Sequence, residues 1–169
     1  VVCEARHGYG CYNLGWVYKD GRLGEVDDLK ARKYFAEGCV ESQHVGSCAQ
    51  WARYLYDGVG GKKNIDKAWK LFLDACSKQY YSACHFIGYC FANGENIKQD
   101  GKKALEYYSL ACEQDVASSC NNIGYLYYNA KLIPQDKLKA YTYFTKACDL
   151  KNQMGCDNIK MMKDKGDFQ

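Results

Sequence analysis

The residues with the most chemistry to offer are the eleven cysteines, at 3, 11, 39, 48, 76, 84, 90, 112, 120, 148 and 156. With Cys90 set aside they form five pairs: Cys3/Cys11, Cys39/Cys48, Cys76/Cys84, Cys112/Cys120 and Cys148/Cys156. Four pairs are eight residues apart, and Cys39/Cys48 is nine apart. Such density points to disulfides in an oxidising compartment, or to metal. Zinc sites favour Cys-x-x-Cys or Cys/His clusters. This chain has no Cys-x-x-Cys and only His7, His44 and His85. Disulfides are therefore expected, with no metal and no cofactor. Cys90 falls in a column with Val17, Tyr54 and Leu126, six residues past the second cysteine of each copy. It reads as a buried thiol acting as a small hydrophobe, with a redox or dimerising thiol as the alternative.

Other catalytic constellations are missing. The serine β-lactamase elements S-x-x-K, S-D-N and K-T-G are absent, as are H-E-x-x-H and G-x-S-x-G. His85 follows Cys84, and His44 precedes Cys48 by four residues, but both cysteines belong to pairs. No catalytic residue is assigned.

The spacing of the cysteines requires repeating elements to position them. First members of the pairs recur every 36 or 37 residues, and so do second members. A period in that range marks stacked helical hairpins. Lys-Ala recurs at Lys30-Ala31, Lys67-Ala68, Lys103-Ala104 and Lys139-Ala140, each preceded by Asp27, Asn64, Asp100 or Asp136. These Asp and Asn residues suit helix N-caps, because their side chains accept from the free N–H groups of the first turn. The reading is helices over Tyr9–Asp20 and Asp28–Val40, then three further hairpins and a final helix, Met154–Lys163. That helix has Ile159-Lys160-Met161-Met162-Lys163 where earlier copies carry a glycine and aromatics, as suits a capping element. The tail from Lys163 to Gln169 is expected to fray. Val1-Val2-Cys3 reads as the last turn of a helix already under way, which suggests a processed or truncated N-terminus.

Seven residues between paired cysteines allow a tight helix–loop–helix corner in which the sulfurs meet. The first helix of each hairpin has two faces. Its apolar face carries Gly or Ala four past the second cysteine, where helices approach closely. The opposite face reads Asn13, Trp16 and Asp20; Gln50, Arg53 and Asp57; Phe86, Tyr89 and Asn93; Asn122, Tyr125 and Asn129, of which the aspartates are left out of the groove candidates. Amides that bond both donors and acceptors of an extended backbone, beside rigid aromatic area, point to a ligand groove. A solvated face with some tyrosines is the alternative.

With 169 residues, 47% hydrophobic content and sixteen tyrosines, the chain can build one continuous core. A net charge of +3 with both signs mixed and no basic run excludes a nucleic-acid footprint. No apolar segment approaches the roughly 18 residues of a membrane span.

The pattern Asp-x-x-Lys-Ala-x-x-Tyr-Tyr-x-x-Ala-Cys, seven residues, Cys-x-x-Ile/Leu-Gly-x-x-Tyr resembles the Sel-one-like repeat. With a Cys pair in each copy, it resembles the Helicobacter cysteine-rich protein family over essentially the whole chain. Trp51-Ala52-Arg53, Cys90 and the extra residue between Cys39 and Cys48 depart from that pattern. The resemblance implies an all-α superhelix, a TPR-like solenoid of helical hairpins with one disulfide per repeat. It places a single domain over residues 1–169, about four repeats and a C-terminal capping helix. It also implies an exported bacterial protein with links to penicillin binding, weak β-lactamase activity and host interaction. The expectation is a secreted or periplasmic scaffold binding a protein or extended peptide through a concave groove, with peptidoglycan-related or β-lactam ligands as further candidates. Two alternatives stand beside it: a weak β-lactam hydrolase, and an assembly factor of the mitochondrial intermembrane space, where similar cysteine-paired repeats occur.

Overall fold

The computed structural model describes Cys3 and residues 8–167; Val1, Val2 and His7 lie outside the described residues, as do Phe168 and Gln169. The described residues form nine α-helices and no strand: α1 (Gly8–Lys19), α2 (Asp28–Val40), α3 (Val45–Asp57), α4 (Ile65–Ser77), α5 (Tyr81–Asn93), α6 (Gly101–Cys112), α7 (Ala117–Asn129), α8 (Lys137–Asp149) and α9 (Gln153–Asp164). They divide into two compact units, Val1–Ala83 and Cys84–Gln169.

Each second helix starts where an acidic or amide residue says it must. The side chains of Asp27, Asn64, Asp100 and Asp136 accept from the backbone N–H three residues on. Loss of such a cap costs about 1 kcal/mol. The N–H of each capping residue also closes its hairpin, donating to the carbonyl of Tyr18, Leu55, Phe91 or Tyr127 at 2.8–3.1 Å. Both bonds repeat in every hairpin, so one residue column fixes the helix start and the turn before it.

In the first unit α1 packs on α2, α2 on α3 and α3 on α4. Its core gathers Ala31, Phe35 and Tyr54, with Tyr12, Trp16, Tyr18 and Trp51 against them. In the second unit α6 packs on α7, α7 on α8 and α8 on α9. There Ala140, Phe144 and Met162 are fully buried, so α9 covers the last hairpin with Met162. The glycine column sets how closely the helices approach. A Cβ on Gly15 would run into the Phe35 ring, and one on Gly88 would sit 2.7 Å from Tyr108 and one on Gly124 2.6 Å from Phe144.

The corners are closed by disulfides. Cys3–Cys11, Cys39–Cys48, Cys112–Cys120 and Cys148–Cys156 bring their Cα atoms to 4.5–4.8 Å. Cys76 and Cys84 are disulfide-bonded as well. The extra residue between Cys39 and Cys48 is absorbed in the corner, where His44 caps α3 by accepting from Ser47 N–H. The four corners after the first also hold one left-handed residue each, Gln43, Gln79, Asp115 or Lys151, with φ between 49° and 66°.

The tail is tied rather than frayed as far as Asp167. The Asp167 carboxylate accepts from the Tyr128 hydroxyl and from the Lys137 ammonium, and the Lys137 bond holds its pKa below the usual range.

Candidate functional site

The second unit brings five of the sequence-predicted groove residues to one place. Tyr89 and Asn93 from α5, with Asn122, Tyr125 and Asn129 from α7, line a cavity of about 380 Å³. These two helices are the first helices of successive hairpins, so residues 36 apart fall side by side. Tyr89 and Tyr125 are 38% and 58% exposed, large aromatic area left open to solvent. The remaining candidate of this unit, Phe86, is buried and stacks on the Tyr89 ring at 6.3 Å. It supports the site from behind.

The polar groups of the cavity divide by side. On the α5 side, Asn93 Nδ2 donates to the Tyr89 carbonyl and Gln99 Nε2 to the Ala92 carbonyl. Each amide thus gives one of its two N–H groups to a helix-end carbonyl and keeps its oxygen as an acceptor. On the α7 side, the Asn129 amide nitrogen is buried with no hydrogen-bond partner among the described residues. A buried donor left unpaired costs about 1–3 kcal/mol, which a native structure rarely carries without reason. The next residue, Ala130, is left-handed at φ 55°, where the preceding hairpins have Gly21, Gly58 and Gly94. Lys131 and Leu132 follow and complete that rim. Strain and an orphaned donor at adjacent positions beside a cavity are the marks of a functional segment.

The floor is Tyr108, 2% exposed, in the column otherwise held by Phe35, Phe72 and Phe144. Burial pushes its phenol well above the ordinary tyrosine value, and the Asn122 amide bond partly opposes that shift. Its ring also packs against His85. Burial lowers the His85 pKa, and His85 Nδ1 lies 2.8 Å from Ser119 Oγ. Cys90 is a fully buried thiol outside the disulfide set.

Sequence reasoning did not place Ala92, Gln99, Tyr108, Leu126, Lys131 or Leu132 in the site. One of them carried a readable signal: Tyr108 is the only hydroxyl in its aromatic column. Lys131 and Leu132 lie in a turn whose path no periodicity fixes.

The four candidates of the first unit have other surroundings. Asn13 is exposed. Trp16 is half-buried, edge-on to Phe35 at 6.0 Å, with the Lys19 ammonium 4.1 Å above its ring. The Gln50 amide bonds the Tyr80 phenol, whose pKa is pushed up to about 12 by burial and by the Tyr12 hydroxyl, with Gln50 opposing. Arg53 pairs with Asp57 one turn on. A separate cavity in this unit, about 520 Å³, lies between the α1–α2 turn and the start of α2 and includes none of the four.

Among the described residues no group of three His, Cys, Asp or Glu side chains is placed to hold a metal ion. No described helix is long and apolar enough to cross a membrane.

Comparison with known proteins gives the site a context. The family profile of the Sel1 repeat matches residues 8–39, 45–80, 82–116 and 117–152. Human cytochrome c oxidase assembly factor 7 is 34% identical over 97 residues, 55% of this chain and 40% of its own length. The mouse protein of the same name is 33% identical over 94 residues, 52% and 41% of the two chains. This chain therefore spans about two fifths of the length of those relatives. Among solved structures, a Sel1 repeat protein from Oxalobacter formigenes gives a TM-score of 0.86 at 19% identity, over 93% of this chain and 64% of that one. Helicobacter pylori cysteine rich protein B gives 0.58 at 28% identity, over 83% of this chain and 96% of that one.

Proposed function

The chain belongs to the Sel1 repeat family, and we propose that it is a disulfide-locked scaffold that holds an extended segment of a partner protein on the aromatic and amide face of its second unit. The observation that carries this reading is the cavity where Tyr89, Asn93, Asn122, Tyr125 and Asn129 converge. Amides serve both sides of a peptide backbone, and exposed tyrosines supply contact area at low entropic cost. The disulfide corners fix the helices before the partner arrives, so binding does not have to order them.

The role we propose is that of an assembly factor for cytochrome c oxidase, working in the mitochondrial intermembrane space. Support comes from the relatives that bear that name at 33–34% identity and from disulfides that require an oxidising compartment. The secreted or periplasmic alternative has its own support in the likeness to the Helicobacter cysteine rich protein. Nothing in the cavity favours a peptidoglycan-related or β-lactam ligand, and neither enters the proposal.

The test is capture of oxidase assembly intermediates from mitochondria of the source organism, using the full chain and a Tyr89→Ala/Tyr125→Ala variant. The expected result is capture that the double variant loses while its thermal unfolding stays unchanged. Equal capture by both would remove the site from the account. Recovery of the native protein outside mitochondria would transfer it to the exported reading.

A further inference from the structure

Accepting the reading that this cavity holds an extended peptide, we infer that the segment it selects is acidic, with an Asp or Glu side chain received between Asn129 and Lys131. Three observations carry this. The Asn129 amide nitrogen is a buried donor without a partner. Lys131 lines the same cavity two residues on and makes no ion pair or hydrogen bond among the described residues. No carboxylate lines the cavity among the described residues, so Lys131 is its only charge.

The opposite side gives the ligand its direction. Asn93 and Gln99 each give one amide N–H to a helix carbonyl. Their oxygens remain available as acceptors beside the cavity and suit backbone N–H groups. A strand laid between the two sides gives N–H groups to the α5 side and presents a carboxylate to the α7 side. Two oxygens then meet two unpartnered donors, one neutral and one charged, and charge-assisted bonds are the stronger kind.

Two negative features have to be outweighed. The site lies near the C-terminus of α7, where the helix dipole disfavours an anion. Its end carbonyls are largely consumed, however: Tyr127 O accepts from Asp136 N–H and Tyr128 O from Gln135 Nε2. The Glu95 carboxylate near Tyr89 takes the Tyr89 hydroxyl. A full unpaired ammonium exceeds the half charge of a partly capped helix end.

The source of the carboxylate is a side chain within a continuing segment, because the peptide reading has the chain run across the face rather than stop in it. The experiment uses the full chain, nitrogen-15 labelled, with three N-acetylated pentapeptides of sequence Gly-Leu-X-Leu-Gly. One has X as Glu and is C-amidated, one has X as Gln and is C-amidated, and one has X as Gln with a free C-terminal acid. The side-chain amide signal of Asn129 and the backbone signals of Tyr89 and Tyr125 are followed by NMR titration. The Glu peptide should move all three and bind about fivefold more tightly than the amidated Gln peptide, the range of a partly exposed ion pair. That preference should vanish in Lys131→Gln and return in Lys131→Arg. Equal binding of the amidated Glu and Gln peptides overturns the acidic assignment and leaves the peptide groove standing. Tight binding by the free-acid Gln peptide alone overturns the side-chain source in favour of a chain terminus. No shift at Tyr89 or Tyr125 with any peptide overturns the groove itself, and this inference with it.

Discussion

Replacing Asn129 by alanine should make the protein more stable, which is unusual for a half-buried residue. The Asn129 amide nitrogen is shut away from solvent with nothing to donate to. Removing such a donor returns part of a desolvation penalty of about 1–3 kcal/mol. Alanine also gains roughly 0.5 kcal/mol of helix propensity over asparagine. Some packing is lost, so a net gain of about 1 kcal/mol is expected, or about 2–4 °C in melting temperature for a chain of this size. Asn93 is the control, 36 residues earlier and also the last residue of its helix. Its nitrogen is bonded to the Tyr89 carbonyl, so Asn93→Ala gains the propensity and loses the bond, for a net change near zero. Asn121 is the opposite control: it is 6% exposed, and its Oδ1 accepts from Asn158 at 2.9 Å, so alanine there should destabilise. Thermal unfolding of the three variants by circular dichroism, without reductant, reads all of this. If Asn129→Ala falls with Asn121→Ala, the amide is satisfied and the reasoning fails. Peptide binding should weaken in the stabilised variant, as expected where stability is given up for function.

Ala130→Gly should stabilise by about 1 kcal/mol, because Ala130 alone holds a left-handed φ of 55° in a column of glycines; no gain in denaturant midpoint would contradict it. Gly124→Ala should cost about 1–3 kcal/mol by overpacking, since its Cβ would meet the buried Phe144 ring at 2.6 Å. A fully stable Gly124→Ala protein would show that the helices can separate. Stability should also fall in mild acid. His85 has its pKa lowered by burial, so the unfolded state binds the proton more readily. The contribution is complete above the unfolded value near 6.5 and is lost as pH falls below it toward the folded value. Denaturant midpoints at neutral and mildly acidic pH should differ more for the native chain than for His85→Asn, and equal differences would discard the histidine.

Much of this architecture is legible because the repeat writes one physical requirement several times. The capping column Asp27, Asn64, Asp100 and Asp136 is readable since a cap needs a particular side chain at a particular offset. The glycines at 15, 88 and 124 are readable since a small residue in that column lets the helices close. The groove face was legible where both neighbouring helices keep open tyrosines, at Tyr89 and Tyr125. It was less so at Trp16 and Phe86, because helical spacing gives a residue's face and not how far its ring leans into a neighbour. The left-handed column Gln43, Gln79, Asp115 and Lys151 was hidden because none of its residues is a glycine or asparagine that would mark a left-handed turn. So were the stacked rings Tyr18–Tyr34, Phe91–Tyr107 and Tyr127–Tyr143, each with the lysine of Lys-Ala above one ring. The recurrence of Lys-Ala is visible in the sequence, but only tertiary packing shows its lysines covering aromatic faces.

The central claim is a scaffold set by its disulfides before any partner arrives, and alkylation of the native protein tests it most directly. Protein taken from its own compartment is unfolded in denaturant without reductant, alkylated and weighed intact. Ten half-cystines and the Cys90 thiol predict a mass gain of a single alkyl group. A mass with several alkyl groups would mean open corners and a reducing compartment. It would contradict both the locked scaffold and the location proposed for it.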